Sequence, residues 1–185
     1  MARIDPVDYE NADKGTKKLL ETVKAALGAT PTMTTTMAHS AVLAGWLGLN
    51  GALRKGSISG ADGERIALAV AEANQCAYCL SAHTYPGTKV ARLDADELER
   101  ARRFESATPT SAAVLAFARA VVDTKGGVSD SDIDAARSAG LSDAQLADIV
   151  GHVAVNVLTN YFNRAFDVEV DFPLVQPHER RPAVA

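Results

Sequence analysis

Two cysteines in a short spacing are the residues of this sequence best suited to chemistry. Cys76 and Cys79 are the chain's only cysteines, and they stand three residues apart. At the start of a helix, unpaired backbone N–H groups and the positive end of the helix dipole favour thiolates over thiols. Two cysteines at this spacing can also close a disulfide. The pattern therefore predicts a redox-active pair.

A histidine and a carboxylate are placed to serve this pair. His83 follows Cys79 by four residues, which puts the imidazole on the same helix face as the second thiol. Glu64 precedes Cys76 by twelve residues. If the helix that carries the cysteines doubles back antiparallel, Glu64 can meet His83 through a water and hold its tautomer. The predicted relay is Cys79, His83, Glu64, and Glu72 is the second candidate for the carboxylate if the turn is tighter.

The elements that must position these residues are helices. Aromatic residues are only 5% of the chain and alanine is abundant, which favours an all-α fold over sheets. Capping residues, glycines and prolines mark the helix ends. We predict breaks at Asn74-Gln75 and at Pro86-Gly87. The predicted helices cover residues 13–27, 33–53, 62–74, 76–84, a segment that begins at 94, 110–124, 129–139 and 142–166.

Size and charge restrict the class of protein. The 185 residues suit one domain, which we place at 1–175 with its core motif at 60–90, followed by a tail at 176–185. A net charge of -4 argues against a basic surface that would bind nucleic acid or anionic lipid. No signal peptide or membrane-spanning stretch is evident. These features predict a cytoplasmic protein.

The arrangement Glu64-x11-Cys76-x2-Cys79-x3-His83 resembles the core motif of the AhpD-like alkylhydroperoxidases of the carboxymuconolactone decarboxylase superfamily. More loosely, the resemblance extends upstream to Pro31 and downstream to Asn160-Tyr-Phe-Asn163 and Asp171-Phe172-Pro173, which are similar to the peroxidase-related subgroup. It implies a single-domain AhpD-like helical fold that assembles as a homotrimer or homohexamer.

The same resemblance implies a thiol-dependent alkyl hydroperoxide reductase, or thiol–disulfide oxidoreductase, that needs no bound cofactor or metal. Cys79 would be attacked by peroxide, Cys76 would resolve the sulfenic acid to a disulfide, and His83 with Glu64 would relay protons. A dithiol such as a lipoyl protein would reset the pair, and in some relatives a peroxiredoxin receives the electrons. Where the best-characterised members carry a second histidine this chain has Tyr78, a poor base at neutral pH, so we expect weaker or differently directed activity.

Two alternatives stay open at this point. The chain can instead be a non-catalytic helical module whose cysteine pair binds zinc or senses oxidation, although structural zinc sites usually draw on a second Cys or His pair. The last helix also carries a polar stripe that either lines a pocket or satisfies neighbouring backbone groups. Its members are His152, Asn156, Thr159, Asn160 and Asn163.

Overall fold

Helices form all of the regular secondary structure in residues 2–179, the part of the chain that the computed structural model describes. This confirms the predicted all-α, single-domain class. The helices are α1 Lys14–Leu27, α2 Thr32–Met37, α3 Val42–Leu53, α4 Gly60–Ala73, α5 Ala77–Lys89, α6 Ala95–Arg102, α7 Pro109–Thr124, α8 Asp130–Ser138 and α9 Asp143–Phe166.

Helix α4 lies at the centre of the fold. It packs against α5, α6, α7 and α9, and all its residues from Arg65 to Glu72 are buried. Leu68 belongs to a core cluster shared with α1, α3 and α5, whereas Ile66 and Val70 belong to a second cluster shared with α7, α8 and α9. A helix that is apolar nearly all round is stable only where neighbours cover it on every side. The helix that carries Glu64 is therefore held rigidly by the core.

Side-chain caps set the starts of most helices where the sequence predicted them. The Ser129 and Ser142 side chains accept hydrogen bonds from the amides of Asp132 and Gln145, completing capping boxes for α8 and α9. The other helix starts with a side-chain cap of this polar type are at Asp13, Ser59 and Asp94.

The single helix predicted over residues 33–53 is wrong, because the structure divides it into α2 and α3. The break lies at residues 38–41. There the Ser40 hydroxyl accepts a hydrogen bond from the Val42 N–H at 3.2 Å, and the Ser40 N–H donates to the Met37 carbonyl. Serine side chains compete with the helical hydrogen-bond ladder in this way, and the apolar periodicity of the segment does not reveal it.

The predicted end of the motif helix near residue 84 is also wrong, because α5 continues through Pro86 and Gly87 to Lys89. Pro86 lies near the C-terminal end, where the loss of one backbone donor does not stop the helix. Gly87 is buried, and a Cβ atom at that position would lie 3.0 Å from the Leu98 side chain. The glycine thus permits close packing of α5 on α6 instead of breaking the helix.

The segment after α9 is extended, and hydrogen bonds attach it to the helices. The Val175 N–H donates to Ser81 Oγ, and the His178 N–H donates to Glu72 Oε1. Residues 180–185 of the predicted tail lie outside the described residues. None of the described helices is both long enough and apolar enough to cross a membrane.

Candidate active site

The turn between α4 and α5 places the two cysteines. Gln75 has a left-handed backbone with a φ of 55°, its N–H donates to the Glu72 carbonyl, and the Cys76 N–H donates to the Ala71 carbonyl. This pair of bonds is a Schellman motif, which ends one helix and reverses the chain. Cys76 is then the N-cap of α5, and Cys79 lies in its first turn.

The two thiols are buried and in contact. Cys76 Sγ donates a hydrogen bond to Cys79 Sγ, with the two sulfurs 2.7 Å apart. The Cys79 N–H donates to Cys76 Sγ at 3.3 Å. The sequence predicted that backbone amides at the helix start would stabilise the Cys79 thiolate. The Cys79 N–H instead donates to the sulfur of Cys76. Because both cysteines belong to the start of α5, the two sulfurs can form a disulfide without movement of one helix against another.

The side-chain amide of Asn163 supplies a hydrogen bond to the second sulfur. Asn163 Nδ2, on α9, donates to Cys79 Sγ at 3.2 Å and to Met33 Sδ at 3.3 Å. Burial alone would raise the pKa of Cys79, but the hydrogen bonds from Cys76 and Asn163 and the nearby charge of His83 lower it to about 7. By contrast, the hydrogen bond that Cys76 gives to Cys79, together with burial, raises the pKa of Cys76. The sulfur of Cys79 is therefore the one that ionises first.

Glu64 and His83 form a direct pair. Glu64 Oε2 lies 2.8 Å from His83 Nδ1, with no space for the water that the sequence argument placed between them. Burial opposes the charged imidazole, but the charge of Glu64 and its hydrogen bond raise the pKa of His83 above its ordinary value. The pair therefore favours the imidazolium form of His83, and Glu64 holds the ring through Nδ1.

His83 acts on Cys79 through its charge. The two residues lie one turn apart on α5, and each shifts the pKa of the other in the direction that favours an ion pair. Within residues 2–179 no direct hydrogen bond joins them. The His83 side chain is 31% exposed, so the imidazole connects the buried thiols to the surface.

Tyr78, which stands where the family that the sequence resembles carries a second histidine, is hydrogen-bonded to the start of α2. Its hydroxyl accepts a hydrogen bond from the Met33 N–H at 3.1 Å, and its ring packs edge-on against Phe172. Burial raises the pKa of Tyr78 further above its ordinary value. The tyrosine therefore joins α5 to the start of α2 and offers no base to the cysteines.

Glu72, the second candidate for the relay carboxylate, is engaged elsewhere. Its carboxylate accepts hydrogen bonds from Arg102 Nε at 2.7 Å and from the His178 N–H at 2.8 Å. These contacts join α4 to α6 and to the extended C-terminal segment. Of the two carboxylates that the sequence singled out, the structure brings Glu64 to the imidazole.

The polar stripe on α9 divides between the two roles that the sequence left open. Asn156 donates to the His152 carbonyl and Thr159 to the Asn156 carbonyl, so these side chains satisfy their own helix. Asn163 instead donates to Cys79 Sγ and lowers its pKa, while Asn160 Oδ1 accepts a hydrogen bond from Asn74 Nδ2 at 3.0 Å. The sequence pattern includes Asn163 in the stripe but does not place it at the thiols. Its position in a polar stripe on an otherwise buried helix was the available signal.

Comparisons with known proteins identify a matching family model and a shared fold. A model of the carboxymuconolactone decarboxylase family matches residues 40–123, the segment that includes α4 and α5. The chain has an AhpD-like fold, and its residues 40–123 are similar to the carboxymuconolactone decarboxylase family. A comparison with curated proteins gives no match.

Several solved structures share the fold of this chain. An uncharacterized peroxidase-related protein with an alkylhydroperoxidase AhpD core, from Ralstonia eutropha JMP134, has a TM-score of 0.82 at 22% identity, covering 92% of both chains. An uncharacterized peroxidase-related protein from Silicibacter sp. TM1040 has a TM-score of 0.74 at 24% identity, covering 89% of this chain and 91% of its own. The debrominase Bmp8, solved with 2,3,4-tribromopyrrole, has a TM-score of 0.74 at 18% identity, covering 91% of each chain. At these identities the likeness establishes the fold.

Replacing Asn163 by leucine in this AhpD-like chain will raise the pKa of Cys79. A hydrogen bond to a charged group contributes about 1.5–3 kcal/mol, which corresponds to about one to two pKa units. Alkylation by iodoacetamide at pH 7 should slow about ten-fold, and the midpoint of its pH profile should move upward. Asn156→Leu is the matched control, since it removes a buried amide from the same helix without touching sulfur. An unchanged midpoint in Asn163→Leu would contradict this role.

Proposed function

We propose that this chain is a thiol-dependent hydroperoxide reductase in which Cys79 is the nucleophile. The observation that carries the proposal is the environment of the Cys79 sulfur, which has an S–H donor at 2.7 Å, an amide donor at 3.2 Å and a pKa lowered to about 7. A thiolate near neutral pH is what attack on an O–O bond requires.

The reaction follows from the arrangement of the four residues. The Cys79 thiolate attacks the terminal oxygen of the hydroperoxide, the O–O bond breaks, and the departing alkoxide takes a proton supplied through His83 and Glu64. Cys76 then attacks the sulfenic acid, which releases water and forms the Cys76–Cys79 disulfide. A dithiol restores the two thiols and is itself oxidised to a disulfide. The net reaction converts a hydroperoxide and a dithiol into an alcohol, water and a disulfide.

The contacts around the pair support this function over a zinc-binding or sensing module. Among the described residues, no group of three or more His, Cys, Asp or Glu side chains is arranged to hold a metal ion. Besides Cys76, the group that donates to Cys79 Sγ is the amide of Asn163. His83 Nδ1 is hydrogen-bonded to Glu64. Bound zinc in the purified protein, together with thiols that do not respond to peroxide, would favour the non-catalytic module.

The test is an acid-quenched rapid-mixing measurement of Cys79 oxidation by hydrogen peroxide and by alkyl hydroperoxides of different size. We expect disulfide formation with a rate that rises with pH and levels off above a midpoint near pH 7, because the thiolate is the reacting form. The debrominase of the same fold makes 2,3,4-tribromopyrrole the appropriate substrate for comparison. Faster turnover of the bromopyrrole than of every hydroperoxide would redirect the assignment.

The reductant and the compartment belong to the same proposal. A buried cysteine pair that must cycle through a disulfide needs a dithiol donor, and a lipoyl protein supplies the electrons in the family that the sequence resembles. In some members of that family a peroxiredoxin receives them. A reducing cytoplasm would keep the pair in its thiol form between turnovers. We therefore place the protein there.

We also propose that the chain is a homo-oligomer, for which the surface of α9 provides support. From residue 144 to residue 161 every exposed position of this helix is apolar, and α3 beside it exposes Gly45, Gly48 and Leu49. A Cβ atom on either glycine would meet nothing within 4 Å, so the fold of one chain gives these glycines no packing role. Glycine inside a helix costs about 1 kcal/mol relative to alanine, and close approach of a second copy would offset that cost. The exposed residues of α9 are Ala144, Ala147, Val150, Ala154, Leu158 and Tyr161.

Leu158→Asp will dissociate such an oligomer, because a carboxylate at the centre of an apolar interface loses its hydration without gaining a partner. We expect an at least ~100-fold weaker association in sedimentation equilibrium, in line with a penalty of a few kcal/mol for a buried unpaired charge. Leu174→Asp is the matched control, since Leu174 is an exposed leucine in the segment after α9 and is not part of this helix face. Equal masses for the wild type and Leu158→Asp would exclude this face as the interface.

A further inference from the structure

A cavity lies beside the first cysteine, and Asn163, which also contacts Cys79, forms part of its wall. It has a volume of about 260 Å³ and lies where the start of α5 meets the end of α9. Cys76 lines it, whereas Cys79, His83 and Glu64 do not. The wall consists of residues 75–78 together with Asn163, Arg164, Asp167, Val168 and Val170.

The cavity and the relay approach the thiols from different places. His83 follows Cys76 by seven residues along α5, which corresponds to a helical rise of about 10 Å. The His83 and Glu64 side chains are 31% and 19% exposed. The relay therefore reaches the surface at the position of His83 on α5, and not through the cavity at Cys76. Two separate approaches to one buried cysteine pair suit a reaction with two separate half-reactions.

The chemistry of disulfide exchange also distinguishes the two sulfurs. An attacking thiolate bonds to one sulfur and expels the other, and the better leaving group is the thiol that ionises more readily. Cys79 is that leaving group, because Asn163 donates to its sulfur and because its pKa is the lower of the two. Attack at Cys76 would therefore release the stabilised thiolate of Cys79. Attack at Cys79 would release the thiolate of Cys76, which is disfavoured.

We infer that this cavity is the reductant site and that the dithiol attacks the disulfide at Cys76, an inference that rests on the proposed disulfide cycle. The thiolate of the dithiol bonds to Cys76 Sγ, the Cys76–Cys79 bond breaks, and Cys79 leaves as a thiolate. The second thiol of the reductant then attacks its own sulfur in the mixed disulfide and releases Cys76. The reductant loses two electrons and two protons and leaves as a disulfide, and the protein regains both.

The dimensions and charges of the cavity define the class of reductant. About 260 Å³ is just below the usual range for small-molecule sites, so the cavity suits a slender dithiol and excludes the folded surface of a protein such as a thioredoxin. Its wall carries one cation, Arg164, and one anion, Asp167, so it has no strong preference for a charged arm. The positive charge of Arg164 does favour an anion at Cys76. A small dithiol, or one carried on a thin flexible arm, fits these features.

The site of attack can be read directly. The protein is oxidised to its disulfide with diamide, so that the experiment does not depend on peroxidase activity, and is then mixed with glutathione in the presence of iodoacetamide. The sulfur that leaves is alkylated, and peptide mass spectrometry shows which cysteine carries glutathione. We expect glutathione on Cys76 and the alkyl group on Cys79. The opposite assignment would overturn the inference while leaving the peroxidase proposal intact.

A second measurement tests the cavity itself. Ala77→Trp places a large ring on the cavity wall, and Val90→Trp puts the same ring at an exposed position at the end of α5. With dithiothreitol as the probe, we expect reduction of the disulfide to slow at least about ten-fold in Ala77→Trp, because a blocked approach displaces the reacting atoms. Val90→Trp should reduce at the wild-type rate. Val170→Trp fills the cavity from its other side and replaces Ala77→Trp if that variant does not fold. Wild-type reduction in a folded cavity variant would refute the reductant site.

Discussion

Replacing Cys79 by serine will remove peroxide-dependent oxidation of the protein almost completely. The remaining thiol, Cys76, is buried at 1% exposure. As a buried thiol it will be protonated near neutral pH. Because the thiolate is the reacting species, we expect the rate to fall on the order of 10³-fold or more. The measurement is hydroperoxide consumption at pH 7 together with thiol counting on the quenched protein.

The matched variant, Cys76→Ser, will have a different outcome. Its serine hydroxyl can still donate a hydrogen bond to the Cys79 sulfur, so Cys79 should still react with peroxide. Without a resolving thiol the product should remain a sulfenic acid, which dimedone traps for mass spectrometry. Dimedone labelling of Cys79→Ser at Cys76, with none in Cys76→Ser, would reverse the two roles.

Glu64→Gln will have the second largest effect. Glu64 raises the pKa of His83, and the charge of His83 helps to lower the pKa of Cys79. Removing the carboxylate therefore lowers the pKa of His83, leaves the imidazole neutral at pH 7 and raises the pKa of Cys79. With the proton relay also weakened, we expect peroxide oxidation at pH 7 to slow about 10²-fold. The midpoint of the pH–rate profile should move to higher pH, so that part of the rate returns under alkaline conditions.

Glu72→Gln is the control for this prediction. It makes the same change on the same helix, but Glu72 binds Arg102 and the segment after α9 instead of an imidazole at the thiols. We expect the midpoint of its pH–rate profile to stay where the wild type has it. A shifted midpoint in Glu72→Gln together with an unshifted one in Glu64→Gln would show that Glu72, and not Glu64, is the carboxylate of the relay. A circular dichroism spectrum distinguishes either outcome from loss of folding.

Much of the fold could be predicted because its signals are local. The caps at Ser129 and Ser142 act on amides three residues away, and the Asn74-Gln75 break is a Schellman turn completed within the neighbouring turn of α4. The break inside residues 33–53 was missed because the apolar pattern there is the same on both sides of it. Gly87 was misread because its role depends on Leu98, a residue of another helix.

The candidate site divides in the same way. The spacing of Cys76, Cys79 and His83 lies within two turns of one helix, so helical geometry alone brings them to one face. Glu64 could be included because α4 and α5 are joined by a short turn, which limits where an antiparallel partner can lie. The all-α fold and the contact between Glu64 and His83 could be predicted from the sequence itself, since each depends on geometry within a helix or across one tight turn.

The tertiary structure alone decided which groups touch the sulfur. Asn163 lies 84 residues beyond Cys79 and reaches it because α9 packs across α5. Tyr78 turns toward Met33 because a buried hydroxyl needs a partner, which another helix supplies. The cavity at Cys76 likewise exists where two helices remote in sequence meet. Packing between distant helices follows from the shape of the whole core, and spacing along the chain carries no record of it.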